Sequence, residues 1–178
     1  ITDPMTGLHN RRYFEKLMEQ EVALAVRHHE TGSIILVDID GFKPLNDRYG
    51  HEVGDLLLIE VAQRLTGCVR EVDTVARFGG DEFVVMLSDL DIDKTASIGQ
   101  AGNIAEKIRA ILAEPYALAI RKDGKVSTTV EHSCTSSIGV RLFVAHDVSA
   151  EEIIKRADLA MYQAKREGRN SIRFCDGE

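Results

Sequence analysis

The amino-acid sequence predicts an α+β sandwich of the ferredoxin-like kind: a central mixed sheet covered by helices, with an added β-hairpin. Three observations lead there. Segments with apolar residues at helical spacing alternate with short β-branched runs, in the order strand, helix, strand, strand, helix, strand. The stretch Phe78-Gly79-Gly80-Asp81-Glu82-Phe83 sits between two β-rich runs, Thr74–Arg77 and Val84–Leu87, and reads as the turn of a hairpin. No internal repeat or low-complexity linker divides the chain, so residues 1–178 read as one domain.

The elements follow in order. Asn10 is placed to cap a helix from Arg11 to about His29, with Phe14, Leu17, Met18, Val22 and Ala25 on its apolar face and Gly32 at its end. Ser33 to Ile39 is a run suited to a strand buried on both faces, and it finishes in Asp38-Ile39-Asp40. Gly41 to Tyr49 reads as a short helical turn with Pro44 near its start. Gly50 to Asp55 breaks it, and a longer helix follows through Leu57, Leu58, Val61, Ala62 and Leu65 to near Cys68–Arg70. Beyond the hairpin, Ser88 to Asp93 reads as a polar loop and Lys94 to Ala113 as a helix with Ile98, Ile104, Ala105, Ile108, Ile111 and Leu112 inward. Gly99 and Gly102 weaken its first half. Lys122-Asp123-Gly124-Lys125 marks a second hairpin, between Tyr116–Ile120 and Val126–Val130. Thr135 to Phe143 is a strand interrupted at Gly139, Ser149 caps a last helix that Gly168 ends, and Ser171–Phe174 is a final strand.

Composition narrows the function. The 178 residues suffice for a substantial core, and 44% apolar with 29% charged residues is ordinary for a soluble globular protein. A net charge of −7 argues against a nucleic-acid-coating surface, so no nucleic-acid partner is expected. Binding a polyanionic nucleotide then needs divalent metal plus a few placed cations. Cys68, Cys134 and Cys175 are scattered, with no C-x-x-C, which points to neither a disulfide framework nor zinc but to a reducing, cytoplasmic compartment. No run approaches the ~18 apolar residues that cross a bilayer, so this domain is expected to make no direct membrane contact, whatever anchors its parent. The chain opens at Ile1 inside patterned sequence, and is expected to be a piece of a longer multidomain protein.

The acids carry the chemistry. Alternation places Asp38 and Asp40 on one strand face, roughly 7 Å apart. Either the strand has surfaced and both are solvated, or something positive meets them. Asp81 and Glu82 follow bare glycines, which let a large group approach the backbone. In a ferredoxin-like sheet the first strand lies beside the hairpin, so Asp38 and Asp81 meet at one edge with the carbonyl of Ile39 facing the same space. Such hard oxygen ligands, with room for phosphate oxygens, describe a nucleotide-bound Mg²⁺ site. Asn46 and Asp55 either read the donor edge of guanine or cap a turn and a helix, and spacing alone favours the caps. Lys165 and Arg169, four apart, share a face if the last helix runs past Gly168; they suit phosphate, or simply the negative end of the helix.

Read together, ordered blocks across essentially the whole chain resemble one family. They are Asp3-Pro4-Met5-Thr6-Gly7-Leu8-His9-Asn10-Arg11-Arg12, Asp38-Ile39-Asp40-Gly41-Phe42-Lys43, Asn46-Asp47, Tyr49-Gly50-His51, Gly54-Asp55, Arg77 to Phe83, Ser137-Ile138-Gly139-Val140, Ala157-Asp158 through Tyr162, Ala164-Lys165, and Gly168-Arg169-Asn170. This pattern resembles the GGDEF domain of diguanylate cyclases, with Pro4 and Met5 as mild variants. The resemblance implies a palm-like fold, and condensation of two GTP into cyclic di-GMP with release of two pyrophosphates. It implies Asp38, the Ile39 carbonyl, Asp81 and Glu82 as ligands of Mg²⁺ (or Mn²⁺), with Asp81, Glu82 and Lys43 catalytic. It implies Phe42, Lys43, Asn46, His51, Asp55, Lys165 and Arg169 around GTP, and an inhibitory product site at Arg70-Glu71-Val72-Asp73. The segment Tyr116 to His132 resembles members fused to an EAL phosphodiesterase domain, and fused sensory domains are expected. Because one site holds one GTP, catalysis implies a homodimer. The alternative is a catalytically silent module that binds GTP or cyclic di-GMP for an adjacent EAL domain.

Overall fold

The computed structural model describes residues 1–144 and 149–175. Its elements are β1 (His9–Asn10), α1 (Arg11–His28), β2 (Thr31–Ile39), α2 (Phe42–Tyr49), α3 (His51–Cys68), β3 (Thr74–Gly79), β4 (Glu82–Leu90), α4 (Lys94–Leu112), β5 (Tyr116–Lys122), β6 (Lys125–His132), β7 (Ser136–Phe143), α5 (Ala150–Arg166) and β8 (Ser171–Phe174).

Six strands form one sheet in the order β1-β3-β4-β2-β7-β8. The inner four, β3-β4-β2-β7, are antiparallel throughout and have the expected ferredoxin-like order, with β2 between β4 and β7. Short β1 and β8 extend it by parallel pairing, which makes the whole sheet mixed. The expected added hairpin is the separate β5-β6 ribbon, its turn made by Asp123 and Gly124 at φ 52° and 76°.

Every residue of β2 is buried. Alternation divides its side chains between two cores: Ile35, Val37 and Ile39 pack with α3 and α4, while Ile34 and Leu36 pack with α1 and α5. Asp38 continues the second row. That position puts an acid at the end of a strand covered on both faces.

Several boundaries differ from the sequence-based expectation, each for a tertiary reason. α1 ends at His29 in a left-handed conformation (φ 54°), and Gly32 lies inside β2. A Cβ there would stand 2.3 Å from the Phe143 ring, so close packing needs this glycine. Gly139 likewise does not interrupt β7: a Cβ would stand 2.1 Å from the Ala157 carbonyl oxygen, so the glycine lets α5 lie directly on the strand. β4 continues through the expected polar loop to Leu90, which is buried and pairs with Thr31. On α4 the buried row is Ser97, Ala101, Ala105, Ile108 and Leu112, and Ile98 is exposed, because small residues let the helix approach closely. α3 begins at His51, earlier than expected. α5 stops at Arg166, so Arg169 does not share a helical face with Lys165; Gly168, at φ 113°, turns the chain away. Among the described residues no helix is long and apolar enough to cross a membrane.

The cap at Asn10 is as expected, its Oδ1 accepting from Tyr13 N at 2.9 Å. The test of the α5–β7 contact is Gly139→Ala. It should lower stability by about 3 kcal/mol in denaturant titration, as overpacking against rigid backbone does. An unchanged unfolding midpoint would remove that contact from the account of the fold.

Candidate active site

The site lies where the end of β2 meets the start of β4. Antiparallel pairing sets Asp38 opposite Glu82, and Ile39 N donates to the Asp81 carbonyl at 3.1 Å. The hairpin between β3 and β4 turns on Gly80 and Asp81, with Gly79 at φ 120° and Gly80 at φ 52°, values that a side chain would resist. Arg77 holds this turn from beneath: its guanidinium donates twice to the Gly80 carbonyl, at 2.8 and 3.1 Å, and once to Asp3 at 3.1 Å.

Asp38 is buried and is bonded by the ammonium of Lys165, which α5 delivers from across the sheet face. Burial, aided by the charge of Asp81, pushes the Asp38 carboxyl up to about 7 against that bond. Glu82 is raised as well, by burial first and then by Asp158. Lys165 also moves up: burial opposes this, but Asp38, Asp81 and Glu82 all favour its charged form. Burial is the main cause for both acids, and the neighbouring acids are what raise Lys165. Asp38, Asp81 and Glu82 surround Lys165, with Arg11 acting on Glu82 as well, so acids outnumber cations here. The alternative of a strand that has simply surfaced falls, since Asp38 and Asp40 are both buried.

The donor set fits a hard divalent cation: carboxylate oxygens, an adjacent backbone carbonyl, and uncompensated negative charge. Asp38, Asp81, Glu82 and the Ile39 carbonyl are the oxygen-bearing groups at this strand end, although among the described residues no three His, Cys, Asp or Glu side chains are grouped as a complete metal site. Asp40 points to other work. It accepts from Thr135 Oγ1 at 2.7 Å, Ser137 Oγ at 2.8 Å and Asn170 N at 3.2 Å.

A second cluster forms between α2 and α3. The Oδ1 of Asn46 is buried without a hydrogen-bond partner. It sits against Gly54, where a Cβ would fall 1.7 Å from it, so the glycine exists to admit this amide. Exposed Asp55 follows directly, inside α3, whose cap is Gly50. The capping explanations for Asn46 and Asp55 therefore fail. His51 is exposed at the start of α3, and Lys43 at the start of α2. Phe42 packs partly into the core. Gly41, at φ 74°, gives α2 no side-chain cap, which leaves its first amides available to an anion.

Arg70 and Asp73 do not stand apart as two separate recognition groups. Asp73 is almost fully covered and accepts from Arg70 N, Nε and Nη2 and from Ser88 N. Arg70 remains half-exposed, beside a cavity of about 270 Å³ that Leu8, His9 and Thr66 also line. The sequence did not flag Arg77, Gly54 or the Asp40 partners as parts of the site. The unusual glycine at 54, one residue before Asp55, was the available signal for the second.

A ferredoxin-like sheet presenting two strand-end carboxylates beside a glycine turn defines a palm-type α+β domain. The chain belongs to the diguanylate cyclase GGDEF-domain family, which it matches over residues 1–171. The bifunctional diguanylate cyclase/cyclic di-GMP phosphodiesterase MucR of Pseudomonas aeruginosa is 38% identical over 99% of this chain and 24% of that protein. The response regulator PleD of Caulobacter vibrioides is 39% identical over 97% of this chain and 35% of that protein. The chain thus spans a minor part of both. The isolated GGDEF domain of YfiN (TpbB) from Pseudomonas aeruginosa superposes with a TM-score of 0.86 at 39% identity, covering 99% of this chain and 95% of that one. The GGDEF domain of DgcB from Caulobacter crescentus, solved in complex with c-di-GMP, gives 0.82 at 28% identity, over 98% and 93% of the two chains.

The charge imbalance has a stability consequence. Between pH 3.8 and about 7 the folded state keeps the Asp38 proton while the unfolded state gives it up, so stability falls as pH rises through that window. Asp38→Asn should therefore melt higher than the parent at pH 8 in EDTA, by about 2–4 °C for each kcal/mol relieved. The gap should narrow toward pH 5. A lower melting point at pH 8 would show that Lys165 more than balances the acids.

Proposed function

We propose that this domain is the catalytic part of a diguanylate cyclase, joining two GTP into cyclic di-GMP with release of two pyrophosphates. The observation that carries this reading is the convergence of Asp38 and Asp81 with Lys165 at the end of β2. Mg²⁺ or Mn²⁺ held by Asp38, Asp81, Glu82 and the Ile39 carbonyl would neutralise the α-phosphate and make the attacking hydroxyl more acidic.

The chain's own residues do the rest. The orphaned Oδ1 of Asn46 and the exposed carboxylate of Asp55 accept from the N–H groups of guanine, a donor set that adenine lacks. His51 lies beside the nucleotide. Lys43 and the first amides of α2 meet its phosphates, and Lys165 and Arg169 hold the terminal ones. Lys165 is bonded to Asp38 in the free chain, so nucleotide entry moves its charge from carboxylate to phosphate. Asp81 takes the proton from a 3′-hydroxyl. That oxygen bonds to the α-phosphorus of the GTP on a facing domain, the bond to the β-phosphate breaks, and pyrophosphate leaves with the electron pair. Repetition in the opposite sense closes the ring, so two copies are needed. Cyclic di-GMP returns to the half-exposed Arg70, held in place by Asp73, as inhibitor. A silent binding role has no comparable support, because a sensor gains nothing from a repulsive acid cluster.

Pyrophosphate should appear from GTP and Mg²⁺ at a rate per protein that rises with concentration. Rates strictly proportional to protein over a wide dilution series would exclude the two-domain mechanism. Asp81→Ala should lower turnover by about 10³-fold or more. Asn46→Ala should raise the KM for GTP roughly tenfold or more, as loss of one hydrogen bond to a desolvated base does. Undiminished turnover in Asp81→Ala would end the cyclase reading.

A further inference from the structure

Asp40 stands two residues beyond Asp38, and neither metal binding nor guanine recognition uses it. It is 9% exposed, and among the described residues no Lys or Arg pairs with it. Its charge is met by neutral donors alone: two hydroxyls, Thr135 Oγ1 and Ser137 Oγ, and one backbone amide, Asn170 N. Burying a carboxylate is costly unless its hydrogen bonds are complete. Spending one such bond on a surface turn that water could serve calls for a reason.

The turn itself supplies one. After α5 the chain runs through three successive positive φ angles: Gly168 at 113°, Arg169 at 63° and Asn170 at 43°. The left-handed region is costly for a non-glycine residue, and such strain persists only where the surroundings over-determine it. They do so here from both sides. Arg169 N closes the helix end on the Ala164 carbonyl at 2.9 Å. Asn170 is held by Asp40 through its backbone and by Arg109 Nη1 through its Oδ1 at 2.8 Å. Between these anchors stands Arg169, exposed and, among the described residues, without a partner for its guanidinium.

We propose that Asp40 is a positioning residue: it pins the 168–170 turn so that Arg169 is presented, with Lys165, to the terminal phosphates of a bound nucleoside triphosphate. The inference rests on the triphosphate reading above. Asp38 and Asp40 share one face of the β2 end, one bonded to Lys165 and the other to the Asn170 amide. The strand end thereby fixes both phosphate cations relative to the metal-binding acids.

The test compares binding of GTP and of GMP, which lacks the terminal phosphates, by calorimetry in Mg²⁺, together with amide exchange over residues 168–170. Asp40→Ala should lose about tenfold or more in GTP affinity, leave GMP within about twofold, and speed exchange at Asn170. Asp40→Asn, which keeps an acceptor for that amide, should recover most of the loss. Arg169→Ala should reproduce the loss, and the double variant should add nothing to it. Should Asp40→Ala not fold, Asp40→Ser, too short to reach Asn170, replaces it. Equal weakening of GTP and GMP, multiplicative losses in the double variant, or unchanged exchange at Asn170 would each overturn the proposal. A parent chain that binds no GTP would sink the cyclase reading instead, while the exchange data would still judge the role of Asp40.

Discussion

Everything at the working end of this domain follows from a shortage of positive charge. An antiparallel pair places Asp38 directly opposite Glu82, and a tight turn adds Asp81. Like charges set opposite one another across strands destabilise a sheet. Burial first, and neighbouring acids after it, make Asp38 and Glu82 harder to ionise, while the acids around Lys165 make that lysine harder to discharge. On the cyclase reading such a site would exchange its lysine for a metal when the incoming ligand brings anionic oxygens of its own.

The frame tolerates this because the strand that bears the strain is the most rigidly held. β2 is buried along its length, paired on both edges and covered on both faces. The turn carrying Asp81 is fastened three ways: Arg77 grips the Gly80 carbonyl, Asp3 holds Arg77, and Ile39 N ties the Asp81 carbonyl back to β2. The opening segment of the chain therefore contributes to the site without touching its chemistry. These ties fix the backbone positions from which the acids project.

What the sequence disclosed, and what it hid, divides along the range of the interactions. The Asn10 cap and both hairpin turns depend on neighbours in sequence or on local period and are legible, whereas the ferredoxin-like strand order, with β2 paired to distant β7, is legible only through the order of the elements. Gly32 and Gly139 were read as a stop and a break because glycine usually punctuates locally. Their actual partners, Phe143 and the backbone of α5, are far off in the chain. The same limit applies to Asn46 and Asp55: spacing favoured capping, whereas packing of α2 on α3 leaves an amide oxygen stranded against Gly54. Lys165 and Arg169 share a helical face only if the helix runs past Gly168, and it stops at Arg166. They belong instead to a helix end and a left-handed turn, joined through β2.

The acidity of the whole chain and the cations of its site are two halves of one electrostatic design. At a net charge of −7 the molecule repels a free triphosphate at long range, although salt screens that field beyond about 8 Å. On the cyclase reading attraction must then be local, and the cations that would supply it, Lys43, Lys165 and Arg169, stand at a helix start, a helix end and a strained turn. Metal-loaded nucleotide carries less negative charge to the rim and brings what Asp38 and Asp81 lack. On the cyclase reading, selectivity for the metal complex over bare nucleotide therefore begins before contact, in the sign of the surface. It is completed only where three placed cations and an unsatisfied pair of acids come within hydrogen-bond reach.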